Sequence, residues 1–249
     1  MTIWLTALKK ALRPLLDMIA KRGCVPEDER NFSPESLELL KTASGHVLFL
    51  INEGYDLKQA CTFVGNHFLL SERQRLAIMR SVATRDQLEG RRKKLVPFAE
   101  LAGRPVWIDG FNTVITMEVM LSDSILFSCM DGTVRDLAAL RGTYRIIDVT
   151  EPAVRTMLDC LEEAQVGKVH ILLDEPVSNS GRLKTLIAEV GEKYSFDLDI
   201  TVRKDVDRVL YEKENVVSSD SVILDRCRSW VNLNKACLNR YGVKCLRVW

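Results

Sequence analysis

The sequence predicts an α/β protein in two parts, an N-terminal all-α module over residues 1–96 and an α/β domain with a mainly parallel sheet over 104–249. Three observations predict it. Apolar residues recur at helical spacing through the first hundred positions. From Val106 onward, short apolar runs alternate with amphipathic segments, the pattern of βαβ units. Charge divides at the same place: 17 Lys and Arg against 12 Asp and Glu up to Arg104, then 18 against 22. A module of net +5 joined to one of net −4 points to a division of labour, polyanion on one side and cation on the other.

With 47% hydrophobic and 28% charged residues, the chain has the composition of a globular protein with a full core. No apolar run reaches the ~18 residues that cross a bilayer. Residues 1–18 carry Lys9, Lys10, Arg13 and Asp17 among their leucines, so an amphipathic helix is expected there and not a signal peptide. No membrane partner and a cytoplasmic location are therefore expected. Seven cysteines, an odd number without a Cys-x-x-Cys pair, read as reduced and mostly buried thiols. With three histidines, a His-rich metal site is disfavoured.

In the first part, a polar connection over 22–32 precedes Ser33-Pro34-Glu35, which starts a helix with a cap, a first-turn proline and an acid against the dipole. Leu37, Leu40, Val47, Leu48 and Ile51 line its buried face, and Glu53-Gly54 stops it. Asp56 caps a helix over 57–63, Gly65-Asn66 marks a turn, and Ser71 caps a long helix reaching Leu88. That helix carries Arg73, Gln74, Arg75, Arg80 and Arg85, with Arg91, Arg92, Lys93 and Lys94 beyond it. Arg and Gln contact phosphates and base edges, and a short helix, turn and helix could present them as a helix-turn-helix-like unit. A solvated helix face explains the same residues. Pro97 and Gly103-Arg104-Pro105 mark the boundary.

In the second part, strands are expected at 106–108, 125–127, 145–147, 169–173, 199–202, 216–218 and 244–248, with helices at 134–140, 152–164, 181–194, 204–210 and 226–241. Three strands run into an aspartate: Asp109 in Asp109-Gly110-Phe111-Asn112, Asp174 in Asp174-Glu175-Pro176, and Asp220 in Asp220-Ser221. Ligands of open α/β sheets bind beyond the carboxyl ends of the strands, so these acids are expected to converge. Crowded carboxylates cannot all stay ionised without a cation, and Mg²⁺ or Mn²⁺ matches such oxygen ligands. The competing reading of each aspartate is a helix N-cap.

Asp131 and Asp136, in Asp131-Gly132-Thr133-Val134-Arg135-Asp136, are further candidate acids, and Arg135 either meets phosphate or pairs with Asp136. Asp131 either joins the acidic edge or makes an Asp-Gly turn. Ser178, Asn179 and Ser180 open a helix whose amides and hydroxyls either hold phosphate or simply cap it. They lack P-loop spacing. Asp148, Asp225 and the acids over 197–207 read as helix starts or solvated turns.

Residues 57–80, with Val64-Gly65-Asn66-His67-Phe68 and Leu70-Ser71-Glu72-Arg73-Gln74-Arg75, resemble the prokaryotic family known as domain of unknown function 434. The motifs around Asp109, Asp131, Asp174, Ser178 and Asp220 resemble a PIN-like (Rossmann-like) domain that commonly follows it. The second resemblance implies a metal-dependent endoribonuclease, with Asp109, Asp131, Asp174 and Asp220 catalytic. Metal would sit on Asp109, Asp174, Asp220 and Asp136. Asp131 or Asp136 would stand where better-known relatives carry a helix-borne glutamate. Asn112, Arg135, Ser178, Asn179 and Ser180 would meet the scissile phosphate, and Arg73, Gln74 and Arg75 would grip RNA, with DNA the other polymer left open. Two alternatives remain: a non-catalytic RNA-binding adaptor that keeps the fold, and an enzyme for a small phosphorylated metabolite.

Overall fold

The computed structural model describes residues 21–138 and 142–249, so the expected helix over 1–18 lies outside the described residues. Among the described residues, a short turn of helix, α1 (Asp28–Asn31), is followed in the N-terminal half by four α-helices that each begin at a side-chain cap. Ser33 caps α2 (Pro34–Asn52) and Asp56 caps α3 (Leu57–His67). Reciprocal capping boxes, Ser71 with Gln74 and Thr84 with Gln87, open α4 (Glu72–Ser81) and α5 (Arg85–Lys94). The single long helix expected from Ser71 to Leu88 is thus two. Val82 adopts extended angles, and Thr84 restarts the helix with its own box.

Gly65-Asn66 is not a turn either. Both lie inside α3, and a Cβ on Gly65 would come within 2.7–2.9 Å of the Arg75 side chain. The glycine lets α4 press its arginine against α3, and the chain turns later, at Leu69 with φ +52°.

The second half holds a four-stranded parallel sheet in the order β5-β4-β1-β6. Its strands are β1 (Pro105–Asp109), β4 (Lys168–Asp174), β5 (Asp197–Arg203) and β6 (Val216–Val217). Between β1 and β4 lie α6 (Gly110–Leu121), an antiparallel hairpin of β2 (Leu126–Ser128) and β3 (Val134–Asp136), and α7 (Thr150–Glu163). Then come α8 (Ser180–Gly191), α9 (Val206–Leu210), α10 (Ser221–Arg226) and α11 (Leu233–Tyr241). Side chains of α6, α7, α8 and α11 pack with Val106, Ile108, Val169, Ile171 and Leu173 in the main core. Short α9 and α10, with Trp230, cover Leu172 and Val216 in a smaller cluster.

Four expectations fail here. Residues 134–136 form β3 and not a helix, because Met130 to Thr133 make a hairpin turn with Gly132 at φ +82°. Residues 145–147 are not a strand; Ile147 instead donates its N–H to Thr150 Oγ1 at 3.0 Å, at the start of α7. The last expected strand is reduced to one bridge, Leu246 to Phe127. The helix expected over 226–241 is only its second half, α11, with α10 lying before it.

The two halves share a core. Phe127, Cys129, Leu137 and Val248 from the second pack with Leu40, Val47 and Ile78 of the first. The junction is stitched as well, since Val96 N–H donates to the Trp230 carbonyl at 2.9 Å and Trp230 N–H to the Lys94 carbonyl at 3.0 Å.

Candidate functional site

Parallel pairing aligns the strand ends. Asp109 sits opposite Leu172 and Asp174 opposite Arg203, while β6 runs out at Val217 beside β1. The chain leaves β1 toward β4 and β5, then crosses back to β6 on the other side of β1. The gap between β1 and β6 is therefore the point where connections part, the usual place for a ligand crevice.

Asp109 stands at that gap. It ends β1 and caps α6, taking the Asn112 N–H at 3.4 Å on Oδ1 and the Ser218 hydroxyl at 2.8 Å on Oδ2. It is only 6% exposed, because α6 starts hard against β4: a Cβ on Gly110 would meet the Leu173 and Ile171 side chains and the Leu172 carbonyl at 2.6–2.9 Å. Burial, partly offset by the Ser218 hydrogen bond and reinforced by Asp174, Asp220 and Asp207, pushes its carboxyl up to about 7. The charged groups that shift it most are other aspartates.

Asp174, at the end of β4, is raised by burial and then by Asp207; Asp207, on α9, is raised by burial and then by Asp220. Asp220 caps α10 through Oδ1, which accepts from Val222 N at 2.8 Å and Ile223 N at 3.2 Å. Asp109, Asp174 and Asp220 lie toward one edge of the sheet, with Asp174 and Asp220 facing different cavities, and each of Asp109 and Asp220 is also an N-cap. Asp207 lies in the first turn of α9, a helix start as read, and its charge also reaches Asp109. The same strand-end rule applied to β5 would have found it, since β5 ends only four residues earlier.

Asp174 and Asp207 line a surface cavity of about 660 Å³ together with Lys204, Arg208 and Arg226. Asp220 and Asn112 line another, of about 350 Å³, between α4 and the loop after β6. Asn112 Oδ1 accepts both the N–H (2.8 Å) and the hydroxyl (2.9 Å) of Ser219, tying α6 to that loop.

Among the described residues, no three His, Cys, Asp or Glu side chains stand close enough to hold a metal ion by themselves. Carboxylate oxygens are the donors that Mg²⁺ and Mn²⁺ take. Mg²⁺ takes one or two carboxylates and completes its shell with water and substrate phosphate.

Asp131 belongs elsewhere. It lies in a buried knot, 2.6 Å from Arg91 and 2.6 Å from Arg135, and also accepts the Thr133 N–H and hydroxyl. Burial pushes its carboxyl up, but Arg135, Thr133 and Arg91 outweigh that and leave it below the usual range. It is the structural acid of the hairpin turn. Asp136 is similarly occupied, by the Thr116 hydroxyl at 3.2 Å, Ala138 N–H at 2.8 Å and Arg80 at 3.5 Å. Arg135 spends its guanidinium on Asp131 and the carbonyls of Ser219 and Arg80.

The expected phosphate loop is a docking loop. The Ser178 hydroxyl donates to the Gly142 carbonyl at 2.8 Å, Asn179 Nδ2 donates to the Tyr144 carbonyl at 2.7 Å, and Ser180 opens α8.

The expected RNA-gripping face is likewise committed internally. Arg73 binds Asp28 and the carbonyls of Leu137 and Gly23. Buried Gln74 completes the α4 capping box and donates to Asn31. Arg75 binds the Leu70 and Thr62 carbonyls and Asn66. Farther on, Arg91 and Lys94 anchor α5 to Asp225 and the Leu224 carbonyl. Guanidinium donors at these positions satisfy backbone carbonyls that packed loops would otherwise leave bare.

Among the described residues, no helix is long and apolar enough to cross a membrane. Residues 39–94 match the family described as "Protein of unknown function (DUF434)", a match that contains all of residues 57–80. Residues 98–236, with all four edge aspartates, match "Domain of unknown function (DUF5616)". The chain is also similar to the uncharacterized protein MJ0935 of Methanocaldococcus jannaschii, 34% identical over 176 residues that cover 71% of this chain and 84% of that protein. No solved structure matches the chain. Its second half makes the chain a member of the DUF5616 family, with a DUF434 segment placed directly before it.

Proposed function

We propose that the second half is a PIN-like domain and that the protein is a divalent-metal-dependent endoribonuclease. The observation that carries this reading is the edge itself: Asp174, Asp207 and Asp220 lie near enough to Asp109 to be the main charges acting on it. Such a cluster calls for a cation. Mg²⁺ or Mn²⁺ bound there would activate water and offset charge on a phosphodiester.

Asp174 and Asp207, which face the larger cavity, are the proposed primary ligands. Asp109 supplies negative charge from beneath, and Asp220 borders the smaller cavity. Lys204, Arg208 and Arg226 replace the α4 arginines as the residues that meet the substrate backbone. Asn112 positions the Ser219–Asp220 loop instead of touching the phosphate. RNA is preferred to DNA on the resemblance of this half to PIN-like ribonucleases.

The test is incubation of labelled RNA and DNA panels with the full chain and Mn²⁺, comparing wild type with Asp109→Asn and Asp207→Asn. RNA cleavage that is lost in both variants and with chelator supports the reading. RNA bound by all three proteins and cut by none would replace it with a non-catalytic binding role.

A further inference from the structure

The smaller cavity differs from the acidic edge in kind. Leu57, Leu76 and Met79 make one wall, all from the helical half, and Asn112, Ser221 and Asp220 stand across from it. Its guanidinium groups are already paired, Arg80 with Asp136, and Arg91 and Arg135 with Asp131, while Asp220 keeps its charge. With its guanidinium groups engaged and the Asp220 carboxylate beside them, the cavity does not select phosphate. Its apolar wall and the partly exposed guanidinium of Arg80 suit a flat heterocycle, since unpaired bases rest on apolar or guanidinium surfaces.

Asn112 adds a directed group. Ser219 N–H can only donate, so the Asn112 atom facing it must be the carbonyl oxygen. The amide nitrogen is then left as a donor, with no protein acceptor among the described residues. Asp220 lines the same cavity and also acts on Asp109 and Asp207, so the cavity borders the acidic edge. At about 350 Å³ it falls in the range of small-molecule pockets, ~300–1,000 Å³.

We infer that this cavity seats one nucleoside of the substrate strand, next to the phosphodiester presented at the acidic edge. Its base lies on the Leu76 and Met79 wall, and the Asn112 amide nitrogen donates to a base or sugar oxygen. The second half of the inference, adjacency to a scissile bond, rests on the nuclease reading; the nucleoside seat does not.

The experiment is calorimetric titration of the full chain in EDTA with AMP, GMP, CMP and UMP, and with inorganic phosphate alone. At least one mononucleotide is expected to bind, and phosphate alone is expected not to compete. Met79→Trp and, separately, Leu57→Trp, which fill the cavity from two different helices, should each weaken binding about tenfold or more, with an unchanged melting temperature certifying the fold. Absence of mononucleotide binding, binding indifferent to both substitutions, or equal competition by phosphate would each overturn the inference. Mononucleotides bound while RNA stays uncut leave the seat standing and remove the nuclease; RNA cut while no mononucleotide binds does the reverse.

Discussion

Two sets of aspartates, one around Asp131 and one around Asp109, live in opposite surroundings in this protein. Asp131 has two guanidinium partners at 2.6 Å each and two hydrogen bonds from Thr133. Asp109 has one hydroxyl, one long backbone contact and three neighbouring carboxylates. The first arrangement is complete as it stands and holds the hairpin, α5 and the sheet together. The second is incomplete, and its missing term is positive charge. A buried acid is informative about function when its charge is left uncompensated, and structural when its counter-charge is built in.

The largest expected effect tests the complete set. Asp131→Asn strands Arg91 and Arg135 without their shared anion and should lower unfolding free energy by about 3–5 kcal/mol, read by urea denaturation at neutral pH. A loss below about 1 kcal/mol would break the comparison from that side.

The next effect tests the incomplete set. Asp109 binds its proton more tightly folded than unfolded, so the folded state holds more protons between about pH 4 and 7 and stability must fall as pH rises through that window. In EDTA the fall should be a few kcal/mol, at most roughly 4. Asp109→Asn, which keeps a good N-cap, should flatten it and be more stable than wild type at pH 8. An unchanged slope in that variant would place the titrating group elsewhere.

Metal should then repair what pH damages. At pH 8, Mn²⁺ at a hundredfold over its dissociation constant should add about 2.7 kcal/mol to wild type, and much less to Asp174→Asn or Asp207→Asn. Equal stabilisation of all three in thermal melts would move the cation away from this edge.

The smallest effect belongs to a residue placed outside both sets. Ser178→Ala removes one hydroxyl bond to the Gly142 carbonyl and should cost about 1 kcal/mol or less, with RNA cleavage unaltered. A large loss of cleavage would restore a phosphate-binding role to that loop.

Much of the architecture was legible in the residues, and the exceptions share causes. Ser33, Asp56 and Ser71 announced their helices because caps are local. Thr84-x-x-Gln87 announced one too, but helical spacing ran across Val82 and hid the break. Helix α6 escaped notice because nine of its twelve residues are buried, so Phe111, Val114, Met117 and Val119 have no polar face opposite them to reveal a period. The hairpin was hidden by Asp131-Gly132, which reads equally well as a helix start. Asp109, Asp174 and Asp220 were legible through a rule about strand ends; Asp207 was passed over because β5 and α9 sit close together in sequence and look like one charged turn.

By itself the sequence determined the helix caps at Ser33, Asp56 and Ser71, the division into a helical and an α/β half, and the placing of three acids just past strands. Those properties depend on neighbours within a few positions and on the pleat and helix periods. Only the tertiary structure decided which charges are spent. Arg73, Arg75, Arg91 and Arg135 read as open cations along the chain, and each meets its carboxylate or carbonyl across a stretch the sequence does not join. Pairing energy depends on distance and burial in space, so the same pattern of aspartates and arginines could have yielded an inert knot or an unsatisfied site, and here it yielded one of each.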